Sequence, residues 1–154
     1  MALARIGLGS NLGEPAANVE RALAALETLG TVTARSSLYA SAPWGVTDQP
    51  PFVNAAALLE TRLGPYDLLA ALKRLERELG RTRTYRWGPR VVDLDILAFD
   101  DVRLDEPELT LPHARLFERA FALAPLAEID PAYRGALEAL SPEARAEVSK
   151  LAGG

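Results

Sequence analysis

The chain has 154 residues, the length of one domain with a real hydrophobic core. A net charge of -4 and a charged fraction of 25% argue against a general nucleic-acid or membrane-surface binder. The absence of cysteine excludes disulfides, thiol catalysis and thiolate metal sites and fits a reducing cytosol, while no apolar run is long enough to span a bilayer and the N-terminus lacks the apolar core of a signal peptide.

Residues 3–8 alternate, with Ala4, Ile6 and Leu8 on one face, and predict a strand. The glycines that follow, Gly7, Gly9 and Gly13, miss the dinucleotide fingerprint, because the third glycine of GxGxxG would fall at Leu12; they read as a tight strand-to-helix turn over residues 9–13. Pro15 suits the first position of a helix whose face is Val19, Ala22, Leu23, Leu26 and Leu29, with Gly30 as its stop. Residues 31–41 predict a second strand, with Val32, Ala34, Leu38 and Ala40 in register. SAPWGVTDQPP, residues 41–51, is a long Pro- and Gly-rich loop of a kind more often functional than idle. Residues 52–61 predict a third strand. Asn54 shares parity there with Phe52, Ala56 and Leu58, and its amide suits either the edge of a heterocycle or a backbone bond at a strand end.

Pro65 opens a second helix with Leu68, Leu72, Leu75 and Leu79 in one stripe, Lys73, Glu76 and Arg77 on the opposite face, and Gly80 at its end. Arg81, Arg83, Arg86 and Arg90, with Tyr85 and Trp87, then run into a fourth strand from Val91 to Phe99. That strand is apolar on both faces, with Val92, Leu94 and Ile96 on one and Leu97 and Phe99 on the other, so both sides of the sheet need cover. Residues 114–127 and 141–151 predict helices that supply it, the second begun by Ser141 and Pro142. Asp100-Asp101 and Glu106-Pro107 mark turns between short edge strands. The order β-α-β-β-α-β is the α+β, ferredoxin-like split βαβ, here expected as a three-layer helix–sheet–helix sandwich in a single domain, residues 1–154.

Asp93 and Asp95 stand at i and i+2 of a strand and so share a face. Neighbouring carboxylates repel unless a cation lies between them, and Mg²⁺ accepts such a pair together with water and phosphate oxygens. A strand entering from solvent with exposed acids gives the same three letters. Arginine offers a rigid fork matched to phosphate, although a charge run is also the ordinary mark of a solvated loop. Trp87 suits stacking on a flat ring or packing at the loop base. His113, the one histidine, follows Pro112 at a helix entry and reads more often as a structural or exposed side chain than as a ligand contact.

RWGPRVVDLDIL, residues 86–97, resembles the signature of the 6-hydroxymethyl-7,8-dihydropterin pyrophosphokinases, a family of folate biosynthesis. IGLGSNLG (6–13), DQPPFVNAA (48–56) and LTLPHARLFERAF (109–121) resemble that family's start, its pterin-binding strand and its later nucleotide-binding segment, in the same order. The resemblance implies a ferredoxin-like fold and the transfer of pyrophosphate from ATP to the pterin, with release of AMP. It implies that Asp93 and Asp95 hold two Mg²⁺ ions and that Arg81, Arg83, Arg90 and Asp95 act in the transfer. Lys73, Glu76, Arg83, Arg86, Trp87, Arg90, Ile96, Thr110, His113 and Arg119 would bind ATP. Ser41, Ala42, Trp44, Phe52, Asn54, Trp87, Asp93 and Phe121 would frame the pterin. Lys73 stands where Gln is familiar, Ser41, Ala42 and Trp44 where Thr, Pro and Leu are, and segment 81–90 is one residue short. The implied protein is a cytoplasmic monomer with small-molecule partners only. The alternative class is a ligand-sensing or RNA-binding module that grips phosphate without chemistry, against which FVNAAALL lacks the exposed aromatics of an RNA-recognition sheet.

Overall fold

The computed structural model describes residues 1–41, 51–80 and 91–151. Ala42, Trp44, Arg81, Arg83, Tyr85, Arg86, Trp87 and Arg90 lie outside the described residues. The elements in chain order are β1 (Ala2–Ser10), α1 (Pro15–Leu26), β2 (Thr31–Arg35), β3 (Tyr39–Ser41), β4 (Phe52–Thr61), α2 (Pro65–Leu79), β5 (Asp93–Phe99), β6 (Leu104–Asp105), β7 (Thr110–Leu111), α3 (Ala120–Ile129), α4 (Arg134–Glu138), α5 (Pro142–Ala146) and β8 (Val148–Lys150). The fold is α+β. An antiparallel sheet runs β5-β1-β4-β3-β8, and β2 also pairs with β4; β6 and β7 form a separate two-stranded sheet.

Strand alternation divides the apolar residues between two faces. Ile6 and Leu8 of β1, Ala57 and Leu59 of β4 and Leu94 and Ile96 of β5 meet Val19, Ala22 and Leu26 of α1 and Leu68 and Leu72 of α2 in the main core. On the other face Ala56 and Leu97 pack with Leu116 and with Leu123 and Leu126 of α3. Each fully buried leucine contributes roughly 1.5–3 kcal/mol, so both helical covers are needed to hold the central strands. α1 and α2 each begin on a proline, where the missing N–H would have no helical partner anyway. α2 carries Asp67 in its first turn and Arg77 in its last, which suits the helix dipole.

Four expectations are corrected. The turn placed at residues 9–13 starts later, because β1 continues through Gly9 to Ser10 and both glycines pair within the sheet. Gly30 does not cap α1, which ends at Leu26; it lets the chain pass β4 closely, since a Cβ there would stand 2.0 Å from the Glu60 carbonyl oxygen. The single strand expected over 31–41 is two, β2 and β3. Ser36 interrupts it, its Oγ accepting the Ala56 N–H at 2.9 Å and donating to the Ser37 carbonyl at 2.7 Å. The helix expected over 141–151 stops at Ala146, after which β8 adds to the edge of β3.

A fifth correction concerns β5. Leu97 and Phe99 were expected on one face, but Leu97 joins the α3 side and Phe99 the main core. The ladder to β1 shifts register here, with Arg5 opposite Ala98 and Ile6 opposite Ile96. The extra residue is a bulge, and it reverses parity for everything after it.

Candidate active site

The site is built on one face of the adjacent strands β5, β1 and β4. Asp93 pairs with Gly9 and Asp95 with Gly7, while across β1 Gly9 pairs with Asn54 and Gly7 with Ala56. One rung therefore reads Asp93, Gly9, Asn54. The two glycines add no side chain of their own between the carboxylates and the amide, and the side chains of Asn54 and Leu97 lean over them. A Cβ on Gly9 would stand 3.1 Å from Asn54 Oδ1, and one on Gly7 would stand 3.1 Å from Leu97 Cδ2.

Asn54 is buried and its Nδ2 donates to Ser41 Oγ at 2.8 Å, which ties β4 to β3 beneath the cleft. Ser41 in turn is held between Phe52 and Val148 by strand pairing. From α3, Glu128 fixes the start of β3: it accepts the Tyr39 hydroxyl at 2.7 Å and the N–H and hydroxyl of Ser37. Burial and the nearby carboxylate push the Tyr39 hydroxyl well above the ordinary tyrosine range, so it stays a donor.

Above this floor lies a cleft of about 950 Å³, a size suited to a nucleotide-sized ligand. Ser41, Phe52, Asn54, Asp93, Asp95, His113, Arg119 and Phe121 all line it. His113 is anchored by its own N–H, which donates to the Leu97 carbonyl at 2.8 Å. The Arg119 guanidinium lies 5.4 Å from the centre of the Phe121 ring, a cation–π contact that orders a cation at the mouth. The sequence reading missed Gly7, Gly9 and Leu97 on the floor and Ser141, Glu143 and Glu147 on the wall formed around α5. Two glycines spaced i, i+2 inside an alternating strand were the available signal for the floor.

Lys73, Glu76, Ile96 and Thr110 do not line this cleft. Glu76 was expected on an exposed helix face, yet it is buried, because it follows Leu72 by four residues and falls on the same stripe. Its Oε2 accepts the Leu94 N–H at 2.7 Å, and Lys73 Nζ stands 3.5 Å from Oε1. Glu76 thus holds the outer edge of β5 at the residue between the two aspartates. The Ile96 side chain is in the main core, on the face opposite Asp95. Thr110 sits in β7, paired with Asp105. Arg115 lines the cleft and also faces Glu118 at 3.8 Å, an exposed pair of small energetic weight.

Two same-face carboxylates beside glycine positions of β1, facing a cleft with arginine on its rim, form a hard-oxygen site open to water and ligand. Among the described residues no group of three or more His, Cys, Asp or Glu side chains converges. The pair fits Mg²⁺, which keeps waters and takes phosphate oxygens around one or two carboxylates.

Residues 5–131 match the family described as 7,8-dihydro-6-hydroxymethylpterin-pyrophosphokinase. The 2-amino-4-hydroxy-6-hydroxymethyldihydropteridine pyrophosphokinase of Pseudomonas aeruginosa is 50% identical over 131 residues, 84% of this chain and 81% of that one. The protein of the same name from Bacillus subtilis is 46% identical over 129 residues, 82% of this chain and 77% of that one. A mitochondrial folate synthesis bifunctional protein of Pisum sativum is 47% identical over 125 residues, which make up 80% of this chain and 24% of that longer protein. Among solved structures, an HPPK-DHPS crystallised in complex with substrates shares the fold, with a TM-score of 0.72 at 12% identity. That match covers 89% of this chain and 43% of the other, so the chain spans less than half the length of that relative.

Proposed function

The chain belongs to the 7,8-dihydro-6-hydroxymethylpterin-pyrophosphokinase family, and we propose that it transfers pyrophosphate from ATP to 6-hydroxymethyl-7,8-dihydropterin, with AMP as the second product. The observation that supports the reading is the rung Asp93, Gly9, Asn54, which puts a carboxylate suited to a metal and an amide suited to a heterocycle's edge on one face of the sheet. The hydroxymethyl oxygen attacks the β-phosphorus, the bond from that phosphorus to the α-phosphate bridging oxygen breaks, and AMP leaves with that oxygen. Such transfers depend on positioning and charge neutralisation more than on covalent help.

The pterin lies on the Gly9 side of the floor, with Asn54 at its edge and Phe52 and Phe121 against its faces, while Ser41 keeps the Asn54 amide turned. The triphosphate lies toward Asp95, His113 and Arg119; Arg81, Arg83, Arg86 and Arg90, which lie outside the described residues, would contact it on the strength of the family resemblance. Asp93 and Asp95 would hold two Mg²⁺ ions, which supply charge neutralisation of the phosphate oxygens. Asp95 would also orient the attacking hydroxyl or take up its proton. Glu76 supports ATP binding through β5 rather than by lining the cleft. Ile96 meets ATP through its backbone, because alternation turns its N–H, like that of Leu94, away from β1.

The finer architecture we read as a ferredoxin-like split βαβ. In support, the two helix-linked strand pairs interleave in the order β5-β1-β4 followed by β2 and β3. One domain is supported by a main core that gathers residues from Ala2 to Leu151. We further read the protein as a cytoplasmic monomer; among the described residues no helix is long and apolar enough to cross a membrane.

Incubation of the protein with ATP, Mg²⁺ and 6-hydroxymethyl-7,8-dihydropterin, followed by chromatography of the nucleotides, tests the activity. AMP formed only when the pterin is present is the expected result. ADP formation, or no turnover, refutes it.

A further inference from the structure

The backbone ladder between β1 and β5 ends at the rung of Gly9 and Asp93. One residue further along β1, a side chain continues it. Ser10 Oγ donates to the Val91 carbonyl at 2.6 Å. The same Oγ accepts from Asn18 Nδ2 at 3.2 Å, and that Nδ2 also donates to the Leu12 carbonyl at 2.7 Å. Asn18 Oδ1 receives Arg21 Nη2. Ser10 is 2% exposed and Asn18 4%.

Every proton in this chain of bonds has one place to go. The Leu12 and Val91 carbonyls are acceptors only, so the amide must present its NH₂ to Leu12 and Ser10, and the single hydroxyl proton of Ser10 must go to Val91. Fixed in this way, α1 holds two backbone points at once, the turn after β1 and the approach to β5. Val91 follows Arg90 directly and precedes Asp93 by two residues. Neither Ser10 nor Asn18 lines the cleft, and their side chains lie on the face of β1 that meets α1.

We propose that Ser10 and Asn18 are positioning residues for pyrophosphoryl transfer, a two-residue latch that sets where Val91 leads into β5 and where Asp93 stands beside Gly9. This rests on the function proposed above. The latch is a kinetic device: it sets the backbone that carries Asp93, a carboxylate that would hold metal, and bonds to neither Asn54 nor Ser41, which would read the pterin.

Two variants test it from opposite ends. Ser10→Ala deletes the hydroxyl. Asn18→Asp puts an acceptor where the NH₂ was, so that the lone Ser10 proton turns to the carboxylate and abandons Val91. Each variant is compared with the unaltered protein for kcat, for the KM of ATP and of pterin, for the Mg²⁺ concentration at half-maximal rate, and for hydrogen exchange of the peptide spanning residues 91–95. The expected result is a kcat about tenfold lower, since small misplacements of reacting groups carry such costs, with the pterin KM changed less than about twofold and exchange about tenfold faster. The double variant should be no worse than the poorer single one, because both break the same unit.

The inference is overturned if a folded variant keeps kcat, Mg²⁺ requirement and exchange within about twofold of the unaltered protein. It is also overturned if the variants lose only melting temperature while turnover per folded molecule holds, which marks the latch as purely structural. Should either variant fail to fold, the other decides. Failure of the unaltered protein to form AMP refutes the proposed function instead, and the exchange measurement then judges the latch alone.

Discussion

Gly9→Ala adds one methyl group at the centre of the cleft floor, and its effects on stability and on activity should separate. The new Cβ stands 3.1 Å from Asn54 Oδ1, where ordinary contact begins at 3.4 Å, so the amide must give by a few tenths of an ångström. That strain is of order 1 kcal/mol and is partly offset by the stiffer unfolded chain. The melting temperature should therefore move by less than about 4 °C. The functional effect is larger. A Cα–Cβ bond raises the floor by about 1.5 Å, enough to lift a flat ring off the rung between Asp93 and Asn54 and to break its bond to the amide. Loss of one such bond costs about 1.4 kcal/mol, or tenfold in the pterin KM.

Gly30→Ala is the counterpart. Its Cβ would stand 2.0 Å from the Glu60 carbonyl oxygen, so backbone must move by more than an ångström. Gly30 touches β4 at the end remote from Asn54. We expect a loss of about 3 kcal/mol, or roughly 6–12 °C, with kcat and both KM values unchanged per folded molecule. Differential scanning fluorimetry beside an AMP-release assay at varied pterin reads both variants. A Gly9→Ala protein that is folded and keeps its pterin KM within about twofold would refute the floor argument, since it would show that no ligand rests there.

Asp95→Asn should keep the fold, because the side chain faces the cleft, while turnover falls by at least about 100-fold on loss of a carboxylate proposed to bind metal. Turnover within tenfold of the unaltered protein would sink the metal assignment. Leu123→Ala empties a fully buried position on α3 and should cost about 2–5 kcal/mol in urea unfolding, whereas a cost below 1 kcal/mol would mean that α3 is not packed as described. Glu128 gives a pH dependence. Burial alone would raise its pKa, but the bonds accepted from Tyr39 and Ser37 outweigh that and hold it below the ordinary glutamate value. A carboxyl lowered on folding stabilises the protein above its unfolded pKa and loses that contribution as the pH falls through the lowered value. The stability difference between the protein and Glu128→Gln should therefore be present at pH 7 and shrink below about pH 4. An equal difference at pH 7 and pH 3 in thermal melts would refute this.

Much of the site was legible because strand alternation is a local rule. Asp93 and Asp95 share a face by spacing alone, and Asn54 took its side from Phe52 and Ala56. What escaped depends on partners remote in sequence. The bulge in β5 is set by its pairing with Arg5 and Ile6, which no pattern within residues 91–99 reveals. The break at Ser36 arises because its hydroxyl meets Ala56, twenty residues on. Gly7 and Gly9 read as a turn because glycine is poor in strands; they stay in β1 because β4 and β5 pair on both sides of them. Glu76 was misplaced through an error of helical angle, and its bond to Leu94 then required knowing that the end of α2 lies against β5. The short helix and strand at the C-terminus followed from the uncovered edge of β3, which likewise belongs to the assembled sheet.

The bulge at Leu97 has a wider meaning for how this strand tolerates change. From Asp93 to Ile96, neighbouring positions answer to different demands, odd ones to the cleft and even ones to the core. After the bulge the rhythm slips by one beat, and Phe99, an odd position, is again core. The cleft-facing carboxylates of β5 thereby stand in its first half, while after Leu97 the strand turns its Phe99 side chain into the core. A survey of every substitution along β5 would show two tempos in seven residues, and the change of tempo would mark where the enzyme's working surface ends.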